Sequence, residues 1–148
     1  MENKTCFFIG NRNAPDSIIE QLTEVVEQHI TEYGVTTFTV GHRGSFDRKV
    51  IKVLAETKKR HKDLELYLLA PYALNQKIDP PQGFDGTLYP DGLEKVPYRF
   101  AIVQANRYMI QHSDYLISYC RMYISNTRNF VEYAQRREKK GLIKVTLL

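Results

Sequence analysis

Cysteine is scarce in this sequence. Cys6 and Cys120 are the only two in 148 residues, and each sits inside an apolar, strand-like run. That placement suits reduced thiols better than a secreted disulfide framework. Long hydrophobic runs are also missing: Cys6 to Ile9 and Leu66 to Ala70 fall far short of the roughly 18 apolar residues that cross a bilayer. The opening segment MENKTCFFIGNRNAP has too short an apolar core for a signal peptide, so a cytoplasmic location without a membrane partner is expected. Neither GxGxxG nor GxxxxGK[ST] occurs, and no HExxH or CxxC accompanies His29, His42, His61 and His112. A zinc site is not expected, and no cofactor is called for. Charge is nearly balanced: 21 Lys and Arg against 17 Asp and Glu leave +4, which permits an anionic ligand without by itself signalling nucleic acid.

What is present describes an ordinary globule, 43% hydrophobic and 26% charged. The length suits a single domain over residues 1–148, large enough to bury its own core. Five short segments rich in apolar, β-branched or aromatic residues read as strands: Thr5 to Ile9, Val35 to Val40, Leu64 to Ala70, Tyr115 to Cys120 and Leu142 to Leu147. Between them, apolar residues recur every three or four positions. Ile18, Leu22, Val25, Val26 and Ile30 mark one helix, and Phe46, Val50, Ile51 and Leu54 a second. Phe100, Val103, Arg107 and Ile110 mark a third; Phe130, Val131 and Ala134 mark a fourth. Pro15 suits a first helical turn, Ser45 and Thr127 are candidate N-caps, and Gly34 and Gly141 stand where a C-terminal cap wants positive φ. Strict βαβ alternation with nearly continuous apolar strands implies a parallel sheet of about five strands covered by helices on both faces. The expected architecture is an α/β Rossmann-like three-layer sandwich. One stretch breaks the rhythm: residues 71–98 form an insert, and Pro71 to Pro97 holds five of the six prolines and three of the eight glycines.

In an open parallel sheet, ligands collect at the carboxyl ends of the strands, so the residues directly after each strand matter most. After strand one comes Gly10-Asn11-Arg12; after strand two, Gly41-His42-Arg43-Gly44-Ser45-Phe46-Asp47; before helix four, Ser125-Asn126-Thr127. Three helix starts with small or polar residues are thus expected around one crevice, each offering unpaired N–H groups and the positive end of a dipole. Arg12, Arg43 and Arg128 add positive charge. The guest these features suit is a phosphate or a nucleotide-like anion. Each loop also has a plainer explanation, since glycines after strands serve turns and Ser or Thr at a helix start serves as a cap.

Other signals are weaker. Cys120 at a strand tip, with His42 across the crevice, resembles a nucleophile pair but reads more simply as a packed thiol. The runs Lys58-Lys59-Arg60-His61-Lys62 and Arg136-Arg137-Glu138-Lys139-Lys140 invite a nucleic-acid reading, yet both fall in last helical turns, where cations stabilise the dipole. Tyr72, Phe84, Tyr89 and Tyr98 cluster in or beside the insert, where they would stack on a base, pack on one another or meet a second subunit.

Taken in order, Gly10-Asn11-Arg12 after the strand beginning at Cys6, Gly41-x-x-Gly44-x-Phe46-Asp47, Pro71-Tyr72, and Asn106-Arg107-Tyr108-Met109-Ile110 with Ser113-Asp114 resemble the YpsA-like branch of the SLOG superfamily. That superfamily includes the DNA-processing protein A fold and the Lonely Guy phosphoribohydrolases. The resemblance covers nearly the whole chain, with residues 106–114 its most specific part. It implies a Rossmann-like domain binding a nucleotide or nucleotide-derived ligand through residues of these motifs, Arg107 among them, and self-association as a homodimer. Lonely Guy enzymes carry PGGxGTxxE after the fourth strand. Here the stretch is Ile124-Ser125-Asn126-Thr127-Arg128-Asn129, without paired glycines or an acid three residues after Thr127. Glu132 comes two positions later than that motif requires, a rotation of roughly 200° on a helix.

Binding or sensing of a nucleotide-like anion is therefore the leading expectation. A nucleoside-monophosphate N-glycosidase, with Asp47 or Glu132 as its carboxylate, is the second. A single-stranded nucleic-acid-binding module is the third and is not favoured.

Overall fold

The computed structural model describes residues 3–71 and 79–148, and shows the expected α/β sandwich. Strands β1 (Lys4–Gly10), β2 (Val35–Val40), β3 (Glu65–Leu69), β4 (Gly86–Leu88), β5 (Tyr115–Tyr119) and β6 (Lys144–Leu147) form one sheet in the order β4-β3-β2-β1-β5-β6. Every pairing in it is parallel. The helices are α1 (Ile18–Thr31), α2 (Ser45–Arg60), α3 (Ala101–His112) and α4 (Asn126–Glu138). No helix of the described residues is long and apolar enough to cross a membrane.

Alternation along β1 distributes the core. Cys6 and Phe8 join the cluster built with Leu22 and Val26 of α1 and Val50 and Leu54 of α2. Phe7 and Ile9 join the one built with Ala105 and Ile110 of α3 and Val131 and Ala134 of α4. The two periodicities, two along a strand and 3.6 along a helix, thus place α1 and α2 on one face and α3 and α4 on the other. Successive strands step outward from β1 to β4, then the chain crosses back to place β5 on the far side of β1. That reversal opens a crevice at the carboxyl ends of β1 and β5.

The sheet has six strands rather than five because the insert contributes β4. Three residues with a glycine at the start carry no hydrophobic alternation, so nothing in their own side chains announces a strand. Tertiary contacts impose it: the Asp85 carboxylate accepts the Leu66 N–H at 2.8 Å, and the Ala70 N–H donates to the Leu88 carbonyl at 2.8 Å. Two short 3-10 turns, Leu93–Lys95 and Tyr98–Phe100, complete the described part of the insert. Tyr72, of the Pro71-Tyr72 pair and the aromatic group, lies outside the described residues.

Several expected helix boundaries shift. Gly44, at φ 91°, is the N-cap of α2, and Ser45 is the first helical residue. Ser125 rather than Thr127 caps α4, its hydroxyl accepting the Arg128 N–H at 3.0 Å. Pro15 sits one turn ahead of α1, its carbonyl accepting the Ile18 N–H at 3.2 Å. Gly34 and Gly141 adopt φ of 73° and 75°, as expected of residues ending helices.

Candidate functional site

Loops one and two are sewn together before any ligand is considered. The Ser45 N–H donates to the Arg12 carbonyl at 3.0 Å, and the Ser45 hydroxyl donates to the same carbonyl and, at 3.3 Å, to that of Ala14. Close approach requires the glycines. A Cβ on Gly10 would stand 2.4 Å from the buried Phe46 ring, and one on Gly44 would stand 3.1 Å from the Arg12 backbone. Asn11, buried, joins the third loop: its N–H continues the β1–β5 ladder to the Tyr119 carbonyl at 3.0 Å. Its Oδ1 accepts the N–H groups of Arg121 at 2.6 Å and Met122 at 3.2 Å. The Thr127 hydroxyl donates to the Gly10 carbonyl at 3.4 Å, holding the start of α4 against the end of β1.

These ties surround a hollow at the carboxyl edge, on the α3–α4 side of the sheet. It offers a guest about 170 Å³ and is partly open to solvent. One wall is polar and comes from the loops: Gly10, Arg12, Gly41, His42, Arg43, Asp47, Asn126 and Thr127. The other is apolar, with Ile9, Leu69, Ile102, Val103 and Phe130 among its residues. Asn126 and Thr127 open α4, so their N–H groups have no carbonyl to bond within the helix.

The electrostatics favour a guest of negative charge. Asp47 accepts the Arg43 N–H through Oδ2 at 2.9 Å, and the same oxygen is 3.0 Å from where a Gly41 Cβ would stand. Burial of its carboxyl outweighs that hydrogen bond and the charges of Arg43 and Arg48, raising the pKa to about 7. Burial and the Arg43 charge lower the pKa of His42, partly offset by a hydrogen bond to the Leu69 backbone. His42 Nδ1 is buried without a partner among the described residues. Near neutral pH, His42 is therefore uncharged and Asp47 substantially protonated, which leaves the guanidinium groups of Arg12 and Arg43 to set the sign of the hollow.

Not every residue proposed from sequence lines it. Gly44 and Ser45 shape the loop from outside the hollow, Asn11 is spent on backbone amides, and Ser125 is spent on the cap. Of the three helix starts expected around it, those of α2 and α4 contribute and that of α1 does not, while the start of α3 lines it instead. Arg107 and Glu132 face a neighbouring groove instead. Cys120, half-buried, donates weakly to the Met122 carbonyl and does not line the hollow. The basic run at the end of α2 is largely engaged with carboxylates: Lys58 with Asp85, Lys59 with Glu56, and Arg60 and His61 with Glu27.

Sequence reasoning overlooked the α3 wall. Ile102, Val103 and Asn106 form one helical face at the carboxyl edge, and Asn106 reaches the hollow where its neighbour Arg107 does not. The i, i+1, i+4 spacing was visible, but the insert hid which edge α3 starts from. No family model matches the chain, and no curated protein matches it in sequence.

Proposed function

We propose that this chain binds a nucleotide or nucleotide-derived anion in the hollow. The observation that carries the reading is its two-sided lining: Arg12, Arg43 and the first residues of α4 on one wall, apolar side chains from β1, β3, α3 and α4 on the other. A phosphate suits the first and the base and sugar carbons suit the second. The SLOG resemblance supports the same class of ligand. Thermal-shift titration with mononucleotides and ribose 5-phosphate tests it. A ligand at 100 times its Kd adds about 2.7 kcal/mol, a rise of several degrees in Tm. Absence of a shift across the panel, or a shift unchanged by Arg12→Ala and Arg43→Ala, contradicts it.

One observation favours a second reading, hydrolysis of an N-glycosidic bond. Asp47 lines the hollow and holds its proton up to about pH 7, the state a general acid needs to protonate a departing base while water adds to the sugar carbon. Free base released from nucleoside monophosphates, and lost in Asp47→Asn, supports it; no release from any of them contradicts it.

A further inference from the structure

A groove between α3 and α4 adjoins the hollow. Val103, Asn126 and Phe130 line both. Beyond them the groove carries Arg107 from α3 and Arg136 from α4, set about one aromatic ring. The two guanidinium carbons stand 5.2 and 5.9 Å from the centre of the Tyr133 ring, and that of Arg137 stands at 5.9 Å. The Gln111 amide donates to the Tyr133 hydroxyl at 2.9 Å, and Arg137 donates to the Gln111 carbonyl at 3.4 Å, which fixes the ring that the arginines surround.

Gathering three like charges around one ring is unfavourable unless something negative relieves it. Among the described residues, none of the three arginines makes an ion pair, and Arg137 Nε is buried without a partner. Glu132 is the groove's one carboxylate; it is exposed and also makes no ion pair, so Arg107 and Arg136 leave the groove with a net charge of +1. Asn126 and Arg136 are ten residues apart, about 15 Å along the helix axis, so a single phosphate does not span both ends.

We propose that the groove is a second anion subsite and that the ligand is a dinucleotide. The 5′ phosphate lies at Arg12 and Arg43, the chain of the ligand passes over Val103 and Phe130, and a 3′-terminal phosphate lies between Arg107 and Arg136. This inference rests on the nucleotide reading of the hollow and deepens it.

Calorimetric titration of the full chain with AMP, the linear dinucleotide pApAp, which carries a phosphate at each end, and a ten-residue oligoadenylate tests it. The expected result is pApAp binding at least fivefold tighter than AMP, with that advantage abolished in the Arg107→Gln, Arg136→Gln double variant and the decamer no tighter than pApAp. An advantage below fivefold in the unaltered protein, or one retained in a folded double variant, overturns the inference while AMP binding leaves the hollow reading standing. Failure of AMP and pApAp alike overturns both. A decamer that binds tighter than pApAp, with steep salt dependence, overturns the dinucleotide in favour of single-stranded nucleic acid.

Discussion

Gly10 lies flat beneath the ring of Phe46: a Cβ added to the glycine would fall 2.4 Å from two atoms of that ring. The contact joins the end of β1 to the first turn of α2, so the loop after β1 and the loop after β2 share one packing constraint. Phe46 itself is fully buried. A glycine read from sequence as a phosphate-loop residue therefore has a packing duty first, and the hollow inherits its shape from that duty.

Gly10→Ala is expected to destabilise the fold by roughly 1–3 kcal/mol, the usual cost of overpacking a closed core. Urea unfolding measures it through a shifted midpoint at unchanged slope. Trimming the ring in Gly10→Ala, Phe46→Leu is expected to recover part of the loss relative to the sum of the single changes, because the two residues touch.

Asn11 is expected to behave as a structural acceptor. Asn11→Ala leaves the N–H groups of Arg121 and Met122 without their oxygen in a partly buried site and costs on the order of 1 kcal/mol. Asn11→Asp keeps an acceptor in place and is expected to lose less. Equal losses in thermal melts of the two variants would contradict this assignment.

Ser125→Ala removes the hydroxyl that accepts the Arg128 N–H, and about 1 kcal/mol of stability with it. Thr127→Ala, which the sequence alone suggests as the cap, is expected to cost less, since its hydroxyl makes one long contact at 3.4 Å. Chemical denaturation of the pair orders them.

Asp47 makes stability depend on pH in a defined direction. Its pKa in the fold, about 7, exceeds the unfolded value of 3.8, so between those limits the folded state holds more protons. Stability from this group is complete below pH 3.8 and is lost as pH rises through 7. The shift sets an upper bound of about 4 kcal/mol, and partial exposure to the hollow lowers the expected effect to on the order of 2 kcal/mol. Asp47→Asn keeps an oxygen for the Arg43 N–H and is expected to be increasingly more stable than the parent as pH rises from about 4 to about 8. The same titration places a negative charge in the hollow, so affinity for AMP is expected to fall above about pH 7 in the parent and to fall less in Asp47→Asn.

The strands and helices that carry the core were legible because their patterns are long and periodic. Phe7 and Phe8 of β1, and Leu22 and Val26 of α1, face where alternation and helical spacing send them. β4 was not legible, since Gly86-Thr87-Leu88 pairs only because Asp85 and Ala70 hold it to β3. The strand-end rule drew attention to Arg12, Arg43, Asp47 and Asn126, all of which line the hollow. It did not separate residues that line a site from those that build it, because Asn11, Gly44 and Ser45 differ from their neighbours only in which way the chain turns them. Arg107 and Asn106 show the limit most sharply: adjacent on α3, about 100° apart, they serve different cavities.

The most direct test of the central claim is an amide NMR titration of the protein with AMP. Binding in the hollow predicts saturable shifts concentrated at Gly10, Arg12, Gly41, Arg43, Asn126 and Thr127, with the Lys58 to Lys62 end of α2 unmoved. Shifts confined to that far end, or none at millimolar AMP, would contradict the account.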